Sequence, residues 1–119
     1  MRVAILEPFR EESCNLRDWI ADYSKRRAVP VELVWASGQE EFRRKFSPGR
    51  FRGAVIACGG VAGFMEVRRA REQDRDCRLV VIDDSPQYAI HCHRLHVADF
   101  LIRPVSSARI FLSMDRIFY

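Results

Sequence analysis

Five short apolar runs alternate along the chain with longer segments in which apolar residues recur at helical spacing. The runs lie at residues 3–6, 31–36, 53–58, 78–82 and 99–102. A glycine, a proline or an acidic residue follows each run within two positions, as expected where a strand ends in a turn. Continuous apolar runs of this kind are typical of strands in a parallel sheet whose two faces are both covered.

The intervening segments predict five helices, at about residues 11–27, 37–46, 61–73, 87–95 and 105–118. In the first, Leu16, Ile20 and Tyr23 share one helical face, with acids at its start and bases at its end. Ser37 is the predicted N-cap of the second helix, and Glu40 follows three residues later, as in a capping box.

Strict alternation of five strands and five helices predicts an α/β fold, a doubly wound five-stranded parallel sheet in three layers. A length of 119 residues fits one domain spanning 1–119. No segment is apolar for long enough to cross a membrane, and Glu7 interrupts the first apolar run too early for a signal peptide. We therefore expect a cytoplasmic protein.

Composition and charge narrow the function classes only slightly. With 48% hydrophobic and 30% charged residues, the chain can form a core and is not disordered. The net charge is +4, but bases alternate with acids, which favours solvated helix faces over a nucleic-acid surface. Four cysteines lack any Cys-x-x-Cys pair, so we expect reduced thiols that pack mostly as small buried hydrophobes.

Ligands of an open doubly wound sheet bind beyond the carboxyl ends of its strands. The residues at those ends are Glu7-Pro8, Ala57-Cys58, Asp83-Asp84 and Arg103-Pro104. They include no pair of nucleophile and base, so the sequence predicts neither an enzyme nor a cofactor site.

Two other patterns carry weaker signals. His91, Cys92, His93 and His96 are metal-ligating residue types, but all fall on one short helix, so no metal site is predicted. The loop at residues 59–63 (GGVAG) joins a strand to a helix, as phosphate-binding loops do, but lacks their full glycine spacing. A tight turn is the simpler interpretation.

Over essentially its whole length, the sequence resembles the CheY-like receiver domains of two-component response regulators. The most specific stretches are residues 88–90 (YAI) and 98–105 (ADFLIRPV), with weaker likeness at 63–69 (GFMEVRR) and 1–5 (MRVAI). The likeness is greatest to receivers that precede LytTR-type DNA-binding domains. It implies the flavodoxin-like strand order 2-1-3-4-5.

The resemblance also implies a phosphorylation site, from which this sequence departs. Receivers hold Mg²⁺ with two acids after the first strand, where this chain has Glu7 and then Pro8. Ala57 stands in the place of the phosphate-accepting aspartate. Asp83 replaces a Thr or Ser, and Arg103 replaces a Lys.

These departures together predict a degenerate receiver that is not phosphorylated in the usual way, because alanine has no nucleophile. We expect Arg103 to pair with Asp83 or Glu7 across the strand ends. The resemblance implies protein partners at the face formed by the fourth helix, fifth strand and fifth helix. A homodimer is one such partner, and DNA would be contacted only through a further C-terminal domain.

Two alternatives remain open from the sequence. One is a flavodoxin-like domain that binds or converts a small molecule, with Glu7, Asp83, Asp84 and Arg103 converging on it. The other is an active receiver that uses Asp83 or Asp84 as its acceptor, although these acids follow the wrong strand for the usual geometry.

Overall fold

The computed structural model describes all of residues 1–119 and contains five strands and five helices in strict alternation. The strands are β1 (Arg2–Leu6), β2 (Glu32–Ala36), β3 (Gly53–Ile56), β4 (Arg78–Asp83) and β5 (Asp99–Ile102). The helices are α1 (Arg10–Arg27), α2 (Gln39–Lys45), α3 (Gly60–Gln73), α4 (Ala89–Arg94) and α5 (Ser107–Phe118). All neighbouring strands pair in parallel, in the order β2-β1-β3-β4-β5, which confirms the predicted doubly wound fold.

The three central strands bury side chains on both faces of the sheet, because successive residues point in opposite directions, whereas the edge strands β2 and β5 are buried only in part. In β1, Val3 and Ile5 join a core with α1 and α5, whereas Ala4 and Leu6 join a second core with α2, α3 and α4. This double burial explains why the strands are continuous apolar runs rather than alternating ones.

A glycine at the start of β3 lets α5 pack closely against the sheet. A Cβ atom at Gly53 would lie 2.7 Å from the side chain of Ile117 and 2.9 Å from the carbonyl oxygen of Arg78. Because backbone cannot yield as a side-chain tip can, no larger residue fits here without moving α5 or β4.

The predicted capping box at the start of α2 is wrong. Gly38, not Ser37, is the N-cap residue, and no side chain caps the helix. Glu41 instead reaches back one turn, where its Oε1 accepts the backbone amide of Ser37 at 3.3 Å. The prediction failed because it placed the box one residue too early.

The cysteines are free and differ in burial. Cys77 and Cys92 are buried and Cys58 is half-buried, as expected for small hydrophobes, but Cys14 is exposed on α1. Burial raises the pKa of the Cys77 thiol to about 12 and that of Cys58 to about 11, so neither is a thiolate at neutral pH. None of the helices combines the length and the apolar character needed to span a membrane.

Candidate functional site

The residues predicted from the strand ends gather at the carboxyl edge of the sheet. Glu7 follows β1, Ala57 follows β3, Asp83 ends β4 and Arg103 follows β5. All but Arg103, which is half-buried, are almost fully buried, whereas Pro8 is exposed and contributes no polar atom. The peptide bond between Arg103 and Pro104 is cis.

Arg103 makes its main contact with a residue that the sequence did not single out. Its Nε lies 2.9 Å from Oε2 of Glu12, and its Nη2 lies 2.9 Å from Oε1 of the same carboxylate. Both side chains are largely shielded from solvent, with 14% and 16% of their surface exposed. Such a fork-to-fork pair fixes the position of the guanidinium as well as its charge.

Three further groups surround the guanidinium. The Oδ1 atom of Asp84 lies 3.3 Å from Nη1, and the carbonyl oxygen of Ala57 accepts a hydrogen bond from Nη2. The ring of Phe9 lies 5.1 Å away, a distance that allows a cation–π contact. Burial alone would lower the pKa of Arg103, but Glu12 and the other carboxylates outweigh it and raise that pKa.

Glu7 is buried beside this ion pair but is poorly satisfied. Its Oε1 accepts the backbone amide of Phe9 at 2.9 Å, whereas its Oε2 has no hydrogen-bond partner and lies 4.0 Å from Nη2 of Arg103. Burial, with the neighbouring Glu12 carboxyl, raises the pKa of Glu7 to about 8. Burial opposes ionisation of Glu12 as well, but contacts with Glu7 and Arg103 lower its pKa. At neutral pH, Glu7 is therefore mostly protonated and Glu12 is ionised.

The expected ion pair between Arg103 and Asp83 is wrong. The Asp83 carboxylate faces the loop after β3 instead, where its Oδ2 accepts the amide of Gly60 at 3.0 Å. Its Oδ1 accepts the amide of Asp84 at 2.6 Å. Gly59 has a φ angle of 71°, and a Cβ there would lie 3.0 Å from Oδ1 of Asp83, so this turn requires glycine. The 59–63 loop is therefore a tight turn. The amide of Gly60, the first residue of α3, already donates to the Asp83 carboxylate.

The other expected contact of Arg103, with Glu7, is present only at the 4.0 Å limit of an ion pair. The prediction of an arginine-centred charge cluster therefore has the right cation, but its main anion is Glu12. From the sequence, the acids at the start of α1 are favourable to the helix dipole, and nothing there distinguishes Glu12 from Glu11.

The arrangement does not fit a resident Mg²⁺ ion. Mg²⁺ needs several free oxygen ligands, usually carboxylates and waters. Here the oxygens of Glu12, the nearest one of Asp84 and the carbonyl of Ala57 already face the Arg103 guanidinium. Glu7 would have to lose its proton before binding a metal.

The residues of metal-ligating type between positions 91 and 96 do not converge on one point. His96 lies beyond the end of α4, with a φ angle of 59°, and His91 packs against the rings of Phe64 and Tyr88. No group of three or more His, Cys, Asp or Glu side chains is arranged to hold a metal ion.

A groove of about 530 Å³ opens beside the ion pair, between the start of α1 and the segment after β5. Its walls combine aromatic and aliphatic side chains with the charged groups of the cluster. The lining residues are Phe9, Glu11, Glu12, Asn15, Trp19, Asp84, Arg103, Pro104 and Val105.

The comparisons with known proteins identify similar structures. No family model matches the sequence, and no curated protein matches it either. The non-phosphorylated HemR receiver domain from Leptospira biflexa superposes with a TM-score of 0.82 at 15% identity, covering 98% of this chain and 92% of that one.

Two further structures are also similar over nearly the whole chain. A response regulator receiver protein from Pseudoalteromonas atlantica gives a TM-score of 0.82 at 14% identity, covering 99% of this chain and 97% of that chain. A CheY-like receiver domain protein from Methanospirillum hungatei gives 0.79 at 11% identity, covering 96% and 90%. This chain therefore has the fold of the CheY-like receiver domains of response regulators.

Proposed function

We propose that this chain is a degenerate receiver domain, which takes part in two-component signalling through protein–protein contacts and without phosphorylation. The likeness of residues 98–105 to the receivers of LytTR-type regulators supports a place in such a regulator. In this role the domain transmits or holds a conformation that a partner recognises, and it catalyses no reaction of its own. Localisation in the cytoplasm follows from the same role.

The observation that carries the proposal is the alanine at the end of β3. Ala57 is fully buried at the carboxyl edge of the central strand, where the resemblance to receivers places the phosphate-accepting aspartate. Its side chain has no atom that can attack a phosphoryl donor, and its carbonyl oxygen is hydrogen-bonded to Arg103. Phosphoryl transfer also requires neutralisation of the transferred charge, and the nearby Asp83 carboxylate would oppose it.

The surface formed by α4, β5 and α5 is the proposed site of partner binding. Each of these elements carries one exposed large apolar side chain, Ile90, Ile102 and Leu112. A second copy of the chain is one partner that such a surface could bind. DNA binding would require a further domain after residue 119, with this domain controlling it through contact alone.

Incubation with acetyl phosphate and Mg²⁺, followed by intact-mass measurement, tests the central statement. We expect no added phosphoryl mass, because neither Ala57 nor any residue of β3 has a side chain that can accept a phosphoryl group. A near-stoichiometric phosphoryl adduct would overturn the proposal. If the adduct mapped to Asp83 or Asp84, the chain would instead be an active receiver with a displaced acceptor.

Sedimentation velocity tests the proposed surface. If the chain forms a homodimer through α4, β5 and α5, Ile102→Ser should weaken the dimer. The matched variant Val61→Ser, at an exposed apolar residue on α3, should leave it intact. A dimer that is indifferent to Ile102→Ser would place the interface elsewhere.

The groove beside Arg103 favours a second candidate, a flavodoxin-like domain that binds or converts a small molecule. The groove is large enough for a small ligand and combines aromatic walls with charged groups, as binding pockets do. A thermal-shift screen with nucleotides and flavins separates the two functions. A saturable rise in the unfolding temperature that is lost in Trp19→Ala would favour this candidate.

A further inference from the structure

We propose that the amino edge of the sheet carries a binding site for a small anion with two or more phosphate groups. A cavity of about 550 Å³ opens there, between the loop before β4, the loop before β5 and the end of α5. Because all the strands are parallel and begin at this edge, the cavity lies across the molecule from Arg103 and its carboxylates. It shares no residue with that cluster, so the proposed site does not depend on the proposed function.

The side chains that line the cavity are mainly positive. They include four arginines and a single acid, namely Arg71, Arg75, Arg78, Arg116 and Asp76. Of the four arginines only Arg116 belongs to an ion pair, with Asp99 at 2.8 Å. A concave surface with charges of one sign focuses the electric field and concentrates ions of the opposite sign. The cavity therefore attracts anions.

Arg71 is a fixed positive charge in the wall of the cavity. Its guanidinium donates to five backbone carbonyl oxygens, three in residues 74–77 and two in residues 95–96, at 2.7–3.2 Å. These partners are uncharged, so they hold the guanidinium in place without neutralising it. All three of its nitrogens are engaged. Arg71 therefore contributes a positive potential to the site rather than direct contacts with a ligand.

Arg75 and Arg78 supply the free donors. Arg78 donates from Nη1 to the carbonyl oxygen of Arg116 at 2.9 Å, which anchors its guanidinium and leaves Nε and Nη2 available. Arg75 is exposed and takes part in hydrogen bonding only through its backbone. A guanidinium with free donors can bind two oxygens of one phosphate at once, as arginine commonly does in phosphate recognition. Two such groups in one cavity fit a ligand that carries more than one phosphate.

The size and the remaining lining of the cavity restrict the ligand further. Pockets for small organic molecules commonly enclose ~300–1,000 Å³, and this cavity falls within that range. His96 and Tyr119, both exposed, also line it. Aromatic rings of this kind stack on nucleobases. The ligand is therefore an inorganic polyphosphate or a nucleoside polyphosphate, which share the phosphate chain that the arginines would hold.

Calorimetric titration with sodium tripolyphosphate and, separately, with ATP tests the site, in a buffer without Mg²⁺. We expect saturable binding at one site, which weakens as salt is added because the donors face solvent. ATP that binds as tightly as tripolyphosphate would assign the site to the phosphate chain alone. Tighter binding of ATP that is lost in Tyr119→Ala would add the base to the ligand, and both results support the proposal. No saturable binding of either compound would overturn it.

Arg75→Gln separates this site from general attraction to a basic protein. The side chain is exposed and makes no contact that folding needs, so the variant should fold normally. We expect tripolyphosphate to bind about tenfold more weakly, the loss typical of one hydrogen bond to a charged group. Arg10→Gln is the matched control, because Arg10 is an exposed arginine at the first position of α1, on the opposite edge. It should leave the affinity within about twofold of the wild type. Equal weakening in the two variants would overturn the proposal.

A titration with a single-stranded oligonucleotide distinguishes a small ligand from a nucleic acid. We expect the oligonucleotide to bind more weakly than tripolyphosphate, because the free donors lie within one cavity rather than along an extended groove. An oligonucleotide that binds more tightly than both small compounds, and that Arg75→Gln weakens, would make this edge a nucleic-acid contact and would overturn the proposal. Phosphorylation of the wild type would overturn the proposed function and would leave the result at the amino edge unchanged.

Discussion

Arg103 and Glu12 lie 91 positions apart in the sequence and form a two-pronged ion pair, with both nitrogen–oxygen distances at 2.9 Å. The pair joins the segment after β5 to the first turn of α1 across the carboxyl edge of the sheet. Because both side chains are largely shielded from solvent, removing one partner leaves the other charge poorly solvated. The pair therefore holds the side chains at the carboxyl edge of the sheet in place and contributes to the stability of the fold.

Glu12→Gln should destabilise the protein by about 2–4 kcal/mol, since the guanidinium keeps its place but loses its main counter-charge. Urea unfolding monitored by circular dichroism measures the change. Glu11→Gln is the matched control on the adjacent, exposed position and should change the free energy of unfolding by less than about 0.5 kcal/mol. Equal losses in the two variants would mean that the ion pair contributes nothing beyond a surface charge.

Glu7 should make the protein less stable as the pH rises. Burial raises its pKa from 4.5 to about 8, so the folded protein retains a proton that the unfolded chain releases between these values. The contribution of Glu7 to the free energy of unfolding is thus fully present below pH 4.5 and is lost as the pH rises through about 8. Glu7→Gln, which cannot ionise, should flatten this decline in urea unfolding series across that range. A decline of the same slope in the variant would exclude Glu7 as its cause.

Asp74 should have the opposite effect, on the acid side. Burial alone would raise its pKa, but the amides of Gly49, Asp76 and Cys77, at 2.8–3.0 Å, and the charge of Arg71 lower it. Its stabilising contribution is present above the ordinary pKa of 3.8 and is lost as the pH falls through the lower folded value.

Asp74→Asn should therefore cost about 1–3 kcal/mol at neutral pH and progressively less in acid. Unfolding free energies measured at neutral and acidic pH test this. Asp76→Asn, at an exposed neighbour, is the control and should behave like the wild type. A cost for Asp74→Asn that stays constant into acid would contradict the assignment.

Asp83→Ala should loosen the turn between β3 and α3. The substitution leaves the amides of Gly60 and Asp84 without their carboxylate acceptor, at a cost of about 1–3 kcal/mol. Hydrogen exchange at these two amides should accelerate more than exchange in the centre of β3. The neighbouring variant Asp84→Ala removes an exposed side chain and should leave both exchange rates nearly unchanged.

The fold could be predicted from the sequence because the parallel sheet leaves its mark at every strand. The interior of β4, residues 79–82, is apolar throughout because both faces of the sheet are covered there. All five predicted strands end within two residues of the observed bounds. The strand order came from the resemblance to receivers, because the pattern alone does not determine which strands are neighbours.

The site was predictable only in part. The strand ends placed Glu7, Ala57, Asp83 and Arg103 at one edge, as the structure has them, because parallel strands end together. Which acid Arg103 pairs with depends on the reach of a long side chain across that edge. Glu12 lies on a helix face, and nothing in its local sequence indicates that the helix points it at Arg103.

Amide spectra of the ¹⁵N-labelled protein, recorded with and without Mg²⁺ and beryllofluoride, give the most direct test of the central claim. They show whether the residues at the carboxyl edge of the sheet can still bind a phosphoryl group. Beryllofluoride mimics a phosphoryl group and requires an acceptor carboxylate and a metal ion to bind. We predict that the resonances of Ala57, Gly60, Asp83 and Arg103 do not move. Saturable shifts of these resonances would mean that the pocket still binds a phosphoryl group, and the proposal of a phosphorylation-independent receiver would be wrong.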